Sequence, residues 1–370
     1  MSGSGMVLGQ AARNGLSSFG YDLDPLARLI SRVGATRINE ERARKALFQL
    51  LEATTGAAAE GRDVSLSWID DDAETKAFVD YWFGRKQKRQ LRLLSYFLLV
   101  EPVVRNKKII DVLKVAISRL IVSKEPKASL ARDTAHSRPH KVIKTSKYEI
   151  LSELPSSLEH VLTALSSSEI LIDTRTYLGD ARNMTRVGDA SIDAIITSPP
   201  YLNAIDYLRG HKFSLVWFGY SVSQLRSIRA TSIGAEISLD ADTDVRFARL
   251  STRLGLKQLK PRTLRILERY YRDLQEQLAE SYRTLKPGGT GTYVIGNSTL
   301  NGCYVLNNEL LKSAAKVAGF SLSGEVTREI PSNRRYLPIP KSLGNSLAAR
   351  MRTEHIIELR KPRPRRLRLN

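Results

Sequence analysis

The sequence predicts an α/β protein carrying a mostly helical, strongly basic insertion, and three stretches predict it. Asp193-Ala194-Ile195-Ile196 is a short, partly β-branched run that reads as a buried strand and leads into Ser198-Pro199-Pro200-Tyr201. Near the start, Gly3 and Gly5 precede a small-residue helix pattern over 7–12, a glycine C-cap at Gly15, and Phe19-Gly20-Tyr21-Asp22. Glycine loop, helix, turn, strand and acid, in that order, make half of a βαβ unit. Third, an apolar stripe at helical spacing (Leu264, Leu267, Tyr270, Leu274, Leu278) ends at Leu285-Lys286-Pro287-Gly288-Gly289 and gives way to a strand over 290–296.

Composition bounds the partners. The 370 residues are 42% hydrophobic, enough for more than one domain, and the formal charge of +20 points to a polyanionic partner, most simply nucleic acid. A single cysteine, Cys303, excludes a disulfide framework and a cysteine zinc site. The five histidines show no metal-ligand spacing, so no metal is expected. With no apolar run of membrane-spanning length and no secretory leader, a soluble cytoplasmic protein without membrane association is expected.

Along the chain, Asp22 closes the first strand, and Asp24 is placed to cap a helix starting at Pro25. Residues 38–168 read as the insertion. Between Arg85 and Lys147 it holds 17 Lys and Arg against Glu101, Asp111, Glu125 and Asp133, so much of the excess charge sits here and favours phosphate contact. Within it, 128–140 lacks apolar periodicity and is dense in donors to phosphates or bases, Arg132, His136 and Arg138 among them. A short strand is expected over 169–173, followed by Gly179-Asp180-Ala181. After the Pro-Pro loop, Asn203, Asp206, Arg209 and Lys212 recur at helical spacing; they could line one face over a base, or form a surface network. Residues 221–262 are polar and basic without a strong pattern and read as a mobile or DNA-facing loop. A helix over 306–318, a basic loop over 331–338, a closing strand over 354–359 and a basic tail complete the chain. Domain boundaries are accordingly expected at 1–37, 38–168, 169–360 and 361–370.

Two consecutive prolines cannot continue a strand, since each fixes φ and lacks an N–H, and Ser198 is biased to an extended conformation by the proline after it. A rigid loop at the carboxyl end of a strand results, where open α/β sheets bind ligands. Ser198-Pro199-Pro200-Tyr201 resembles the (Asp/Asn/Ser)-Pro-Pro-(Tyr/Phe) motif of the S-adenosylmethionine-dependent amino-methyltransferases. Gly3-Ser4-Gly5 is similar to that family's cofactor loop, Asp22 falls at its ribose acid, and Asp180-Ala181 at its adenine contact. Leu285-Lys286-Pro287-Gly288-Gly289 between helix and strand resembles many methyltransferases, and 128–140 and 202–220 resemble a subset of bacterial DNA methylases.

The resemblance implies a Rossmann-like methyltransferase sheet, S-adenosylmethionine as cofactor and double-stranded DNA as substrate. Catalytic Ser198, Pro199, Pro200 and Tyr201 would act on a flipped base. Gly3, Ser4, Gly5, Asp22, Asp180 and Ala181 would hold the cofactor, and Arg132, His136, Arg138, Asn203, Arg209 and Lys212 the nucleic acid. The family's chemistry explains these residue types. An exocyclic amine delocalises its lone pair into the base, so the Ser198 hydroxyl and Pro199 carbonyl, accepting from its N–H groups, would turn that lone pair towards the methyl while Tyr201 stacks. Serine at the first motif position is linked to N4 of cytosine; N6 of adenine, an RNA base amine, and a catalytically incomplete DNA-binding subunit are the alternatives. The family's Asp-Pro and first strand have no counterpart before Met1, so three readings stand open: a truncated start, a partner chain supplying that strand, or an inactive protein.

Overall fold

The computed structural model describes residues 1–166, 170–172, 174–202, 206–235, 244–300, 303–330 and 353–364. Their contacts form two compact units, one of Ser2–Leu178 with Asp206–Arg229, the other of Met1, Gly179–Ile205 and Ala230–Asn370. No helix among the described residues is long and apolar enough to cross a membrane.

The first unit is mainly helical. Helix α1 (Met6–Arg13) ends in a glycine turn: Gly15 takes φ +68°, and the Gly15 and Leu16 amides bond back to Ala12 and Ala11. Strand β1 (Phe19–Asp22) leads to α2 (Pro25–Gly34), where Asp24 Oδ1 caps the Leu26 and Ala27 amides at 2.8 and 3.3 Å and proline occupies the first turn. Helices α3 (Glu40–Ala59), α4 (Ser67–Asp70), α5 (Ala73–Trp82), α6 (Arg85–Leu99) and α7 (Lys107–Ile121) follow, with Asn39, Asp72 and Asn106 as side-chain N-caps. A minimal hairpin, β2 (Ala131–Arg132) against β3 (His140–Lys141), precedes α8 (Ile150–Ser166) and β4 (Arg175–Leu178). Helices α9 (Tyr207–Leu215) and α10 (Val222–Thr231) close the unit. One apolar core joins Leu26, Leu29 and Val33 of α2 to the buried faces of α3, α6, α7 and α8 and to Phe213 and Trp217. The segment 38–168 therefore does not stand apart; residues before it and after the Pro-Pro loop complete its core.

Strand β4 pairs in parallel with β1, Phe19 opposite Arg175. The strand expected at 169–173 is displaced: Ile170, Leu171 and Ile172 are irregular, because the Leu171 and Ile172 amides both bond to the Ala12 carbonyl at the end of α1 (3.0 and 3.3 Å). Donors spent on a helix end cannot build a ladder.

The second unit is built on a four-stranded mixed sheet. That sheet comprises β5 (Ile192–Thr197), β6 (Leu285–Gly296), β9 (Ser321–Glu329) and β10 (Thr353–Arg360), and a separate hairpin pairs β7 (Ser298–Leu300) with β8 (Cys303–Val305). The main sheet runs β5-β6-β10-β9, with β5 parallel to β6 and β10 antiparallel to both neighbours. Helix α11 (Val245–Arg253), the long α12 (Pro261–Thr284) and α13 (Asn307–Ala318) accompany it, and Leu267, Tyr270, Tyr271, Leu274, Leu278, Tyr293, Ile295 and Ile357 form its core. At the α12–β6 turn, Gly288 takes φ +86°, and a Cβ on Gly289 would stand 2.9 Å from the Asp193 carbonyl, so this joint accepts only glycine without rearrangement. The loop expected at 331–338 and residues 365–370 of the tail lie outside the described residues.

Candidate active site

β5 ends at Thr197 and the chain leaves the sheet through Ser198-Pro199-Pro200-Tyr201. Two bonds fix this exit. The fully buried Tyr270 of α12 donates its hydroxyl to the Pro200 carbonyl at 2.9 Å, and Thr197 donates to the Met1 carbonyl at 3.2 Å. Pro199 is buried, and among the described residues no donor reaches its carbonyl.

Ser198 is exposed and donates its hydroxyl to Tyr201 Oη at 3.2 Å; Tyr201 donates in turn to Glu354 Oε1 of β10, also at 3.2 Å. Glu354 is held on its other oxygen by Arg328 of β9, its ladder partner, at 2.6 and 2.9 Å. All donors point one way, from serine to carboxylate, so the hydroxyl of exposed Ser198 keeps its capacity to accept. Burial, chiefly, pushes the Tyr201 phenol up to about 12, so it remains a donor throughout the ordinary pH range. Tyr201 is half-buried and packs against the core of this unit. Glu354 and Arg328 escaped sequence reasoning.

Asp180 follows β4 directly. Arg182 holds both its oxygens, at 2.6–3.1 Å, and also pairs with the buried Asp273 of α12. No helix forms over 181–187; the segment turns, and Met184 N–H bonds Glu280 at 2.6 Å. Ala181 is buried beside Asp180.

In the first unit, the glycine loop closes on the end of β1. Gly3 donates to Asp22 Oδ2 at 2.8 Å, and Asp24 N–H bonds Oδ1 at 3.0 Å. The two glycines serve different ends. A Cβ on Gly5 would lie 2.5 Å from Ser31, so Gly5 is required by packing against α2. Gly3 also has positive φ (+53°) but open space beside it, as does exposed Ser4. Each Asp22 oxygen keeps lone-pair capacity beyond its one backbone donor, and burial, chiefly, raises this carboxyl above its usual range. A half-desolvated acceptor beside an open glycine turn fits a polyhydroxyl ligand such as a ribose. Asp24 is committed elsewhere, to its helix cap and to His211 Nδ1 at 2.6 Å.

The 128–140 loop packs on α9: a Cβ on Gly210 would stand 2.1 Å from the Thr134 carbonyl, and Ser137 donates to the Tyr207 carbonyl at 3.4 Å. Asp133 and Ser137 hold φ of +60° and +55°, a region uncommon for non-glycine residues, though one that aspartate tolerates. Arg138 is exposed with no acidic partner among the described residues. The other candidates are partly spent: Arg132 pairs with Glu125 (2.9 Å), His136 with Asp133 (3.2 Å) and Arg209 with Asp206 (3.8 Å). Lys212 rests 4.9 Å from the Phe78 ring centre, and burial lowers its ammonium pKa. Asn203 lies outside the described residues.

No family model matches the chain. Over 54 residues it is 32% identical to a type II methyltransferase, M.BsoBI of Geobacillus stearothermophilus, a match covering 15% of this chain and 11% of that protein. Among solved structures it is similar to a candidate DNA modification methylase of Thermus thermophilus complexed with S-adenosyl-L-methionine (TM-score 0.27, 16% identity, 51% of this chain and 53% of that one). It is also similar to a SAM-dependent methyltransferase of Methanosarcina mazei (TM-score 0.26, 9% identity, 56% and 79%).

Proposed function

We propose that the chain is an S-adenosylmethionine-dependent DNA methyltransferase that acts on an exocyclic base amine, N4 of cytosine. The observation carrying this reading is the one-way hydrogen-bond chain Ser198–Tyr201–Glu354 at the rim of β5. The partial likeness to a type II methyltransferase, the +20 charge and the order of motifs support it.

The cofactor, when bound, supplies an electrophilic methyl group. Gly3, Ser4, Gly5, Asp22, Asp180 and Ala181 are the residues proposed to hold it, with Asp22 accepting from ribose hydroxyls. The protein's own work is on the amine. Ser198 Oγ and the Pro199 carbonyl accept from the two N–H groups and draw the nitrogen out of conjugation. Because Ser198 donates to Tyr201, and Tyr201 to a carboxylate, the serine oxygen is a stronger acceptor than an isolated hydroxyl. Methyl transfer to the nitrogen would leave the amine cationic, with one proton to shed. Its proton passes to Ser198 Oγ while the serine proton moves to Tyr201 and the tyrosine proton to Glu354. Arg328 holds Glu354 in place from its other oxygen, at 2.6 Å.

Calorimetric titration with S-adenosylmethionine, followed by transfer of radiolabelled methyl to mixed-sequence duplex DNA and nucleoside analysis, tests the reading. N4-methylcytosine is expected. N6-methyladenine would keep the class and change the base; binding without transfer to any nucleic acid would overturn it.

A further inference from the structure

The second unit holds a cavity of about 410 Å³ between α11, α12 and α13, within the size range of ligand pockets. Its lining includes Arg246, Arg249 and Arg253 of α11 and Lys316 of α13, with no carboxylate among the lining residues. The three arginines lie at i, i+3 and i+7, so the helical repeat sets them along one stripe. Phe247 and Leu250 are buried and dock the helix; Phe247 packs against the Tyr271 ring at 5.9 Å between centres. All four cationic side chains are exposed, and none has an ion-pair or hydrogen-bond partner among the described residues. Asp244, just ahead of them, spends its carboxylate on capping the Arg246 amide at 2.7 Å. On the floor, Tyr271 and Ser313 share a 3.0 Å hydrogen bond, placing hydroxyls beside the cations.

Four exposed cations around one cavity, with no acid among them, concentrate positive potential where an anion could bind. We infer that this cavity is a phosphate clamp that grips the sugar-phosphate backbone of the nucleic acid, on residues outside the catalytic loop. A stripe of guanidiniums suits successive phosphates of one strand, each offering two oxygens to a forked donor. The inference rests on the DNA-methyltransferase reading for its ligand and narrows the basic 221–262 stretch to one stripe of α11 facing Lys316 of α13.

The test is the salt dependence of binding to a mixed-sequence duplex, for the full chain and for Arg249→Gln/Arg253→Gln/Lys316→Gln. Each lost phosphate contact lowers the slope of log K against log salt by about 0.9, so the variant's slope should fall by about 2 to 3. Arg249→Lys/Arg253→Lys should retain the slope, and unchanged melting and S-adenosylmethionine affinity exclude a folding defect. An unchanged slope in the glutamine variant overturns the clamp, even where the parent chain methylates DNA. A reduced slope in a chain that transfers no methyl keeps the clamp and removes the proposed activity. Titration with inorganic pyrophosphate alone distinguishes the source: saturable binding that the variant abolishes, together with an unchanged duplex slope, would mean a small-anion site and overturn the inference.

Discussion

Tyr201 Oη lies 3.2 Å from Glu354 Oε1, although the two residues are 153 positions apart in the sequence. The contact fastens the Pro-Pro loop to the far side of β6 and gives Ser198 its orientation. Replacing Glu354 with glutamine keeps an oxygen acceptor and removes the charge. Glutamine cannot take the proton that the relay delivers to Glu354, so kcat should fall by about 10²- to 10⁴-fold. Single-turnover methyl transfer measures this, with S-adenosylmethionine affinity unchanged. A kcat equal to the parent's would remove Glu354 from the reaction.

Tyr201 yields a prediction in pH. Its folded pKa is raised to about 12 by burial, whereas an unfolded tyrosine titrates near 10. Between these values the unfolded chain releases a proton that the folded chain keeps. Stability is therefore lost as pH rises through that window, by about 1.4 kcal/mol at about pH 11. Tyr201→Phe removes this contribution. Denaturant melts at about pH 9 and about pH 11 should show a smaller alkaline loss in the variant; equal losses would mean that the phenol is not shielded.

How far the sequence foretold the site follows from the range of the contacts. Ser198-Pro199-Pro200-Tyr201 was legible because proline acts locally and Ala194-Ile195-Ile196 marks a strand before it; that strand is not the buried one expected, since Ala194 and Ile196 are exposed. Asp24 was legible as a cap for the same reason. Glu354 was not: its approach to Tyr201 depends on the register of β10 with β6, opposite Gly296, and its pairing with Arg328 on that of β10 with β9, and no local pattern encodes either. β9 itself left little signal, because Leu322 and Val326 are exposed and no apolar alternation marks a buried face. α11 passed for a polar loop because its docking contacts, Phe247 and Leu250, are few among arginines. The expected strand over 169–173 looked apolar enough, but Ala12 at the end of α1 had claimed its amides.

Asp22 organises the glycine turn through Gly3 N–H and the start of α2 through Asp24 N–H. Asp22→Ala should weaken S-adenosylmethionine binding by about ten- to a hundredfold, the loss of charged hydrogen bonds to ribose hydroxyls. Calorimetry on the variant checks this. Unchanged affinity would move the ribose contact off Asp22, and Asp24, engaged by its cap and by His211, would be a poor successor.

Arg182 lies between Asp180 and Asp273, and Asp273 has only 6% of its side chain exposed. Burial, chiefly, raises the Asp273 carboxyl; the Gly234 N–H and Arg182 oppose it. Arg182→Met keeps much of the packing and leaves this carboxylate without its main cation, at a cost of about 3 kcal/mol. Asp180 is more exposed, so Asp180→Ala should cost less. The pH dependence separates charge from packing. With the cation gone, the folded pKa of Asp273 rises further above its unfolded value, so stability falls as pH rises from about 4 upward. The destabilisation should therefore be larger at neutral pH than in mild acid. Urea melts of the parent and both variants at two pH values measure it, and a penalty independent of pH would assign Arg182 to packing alone.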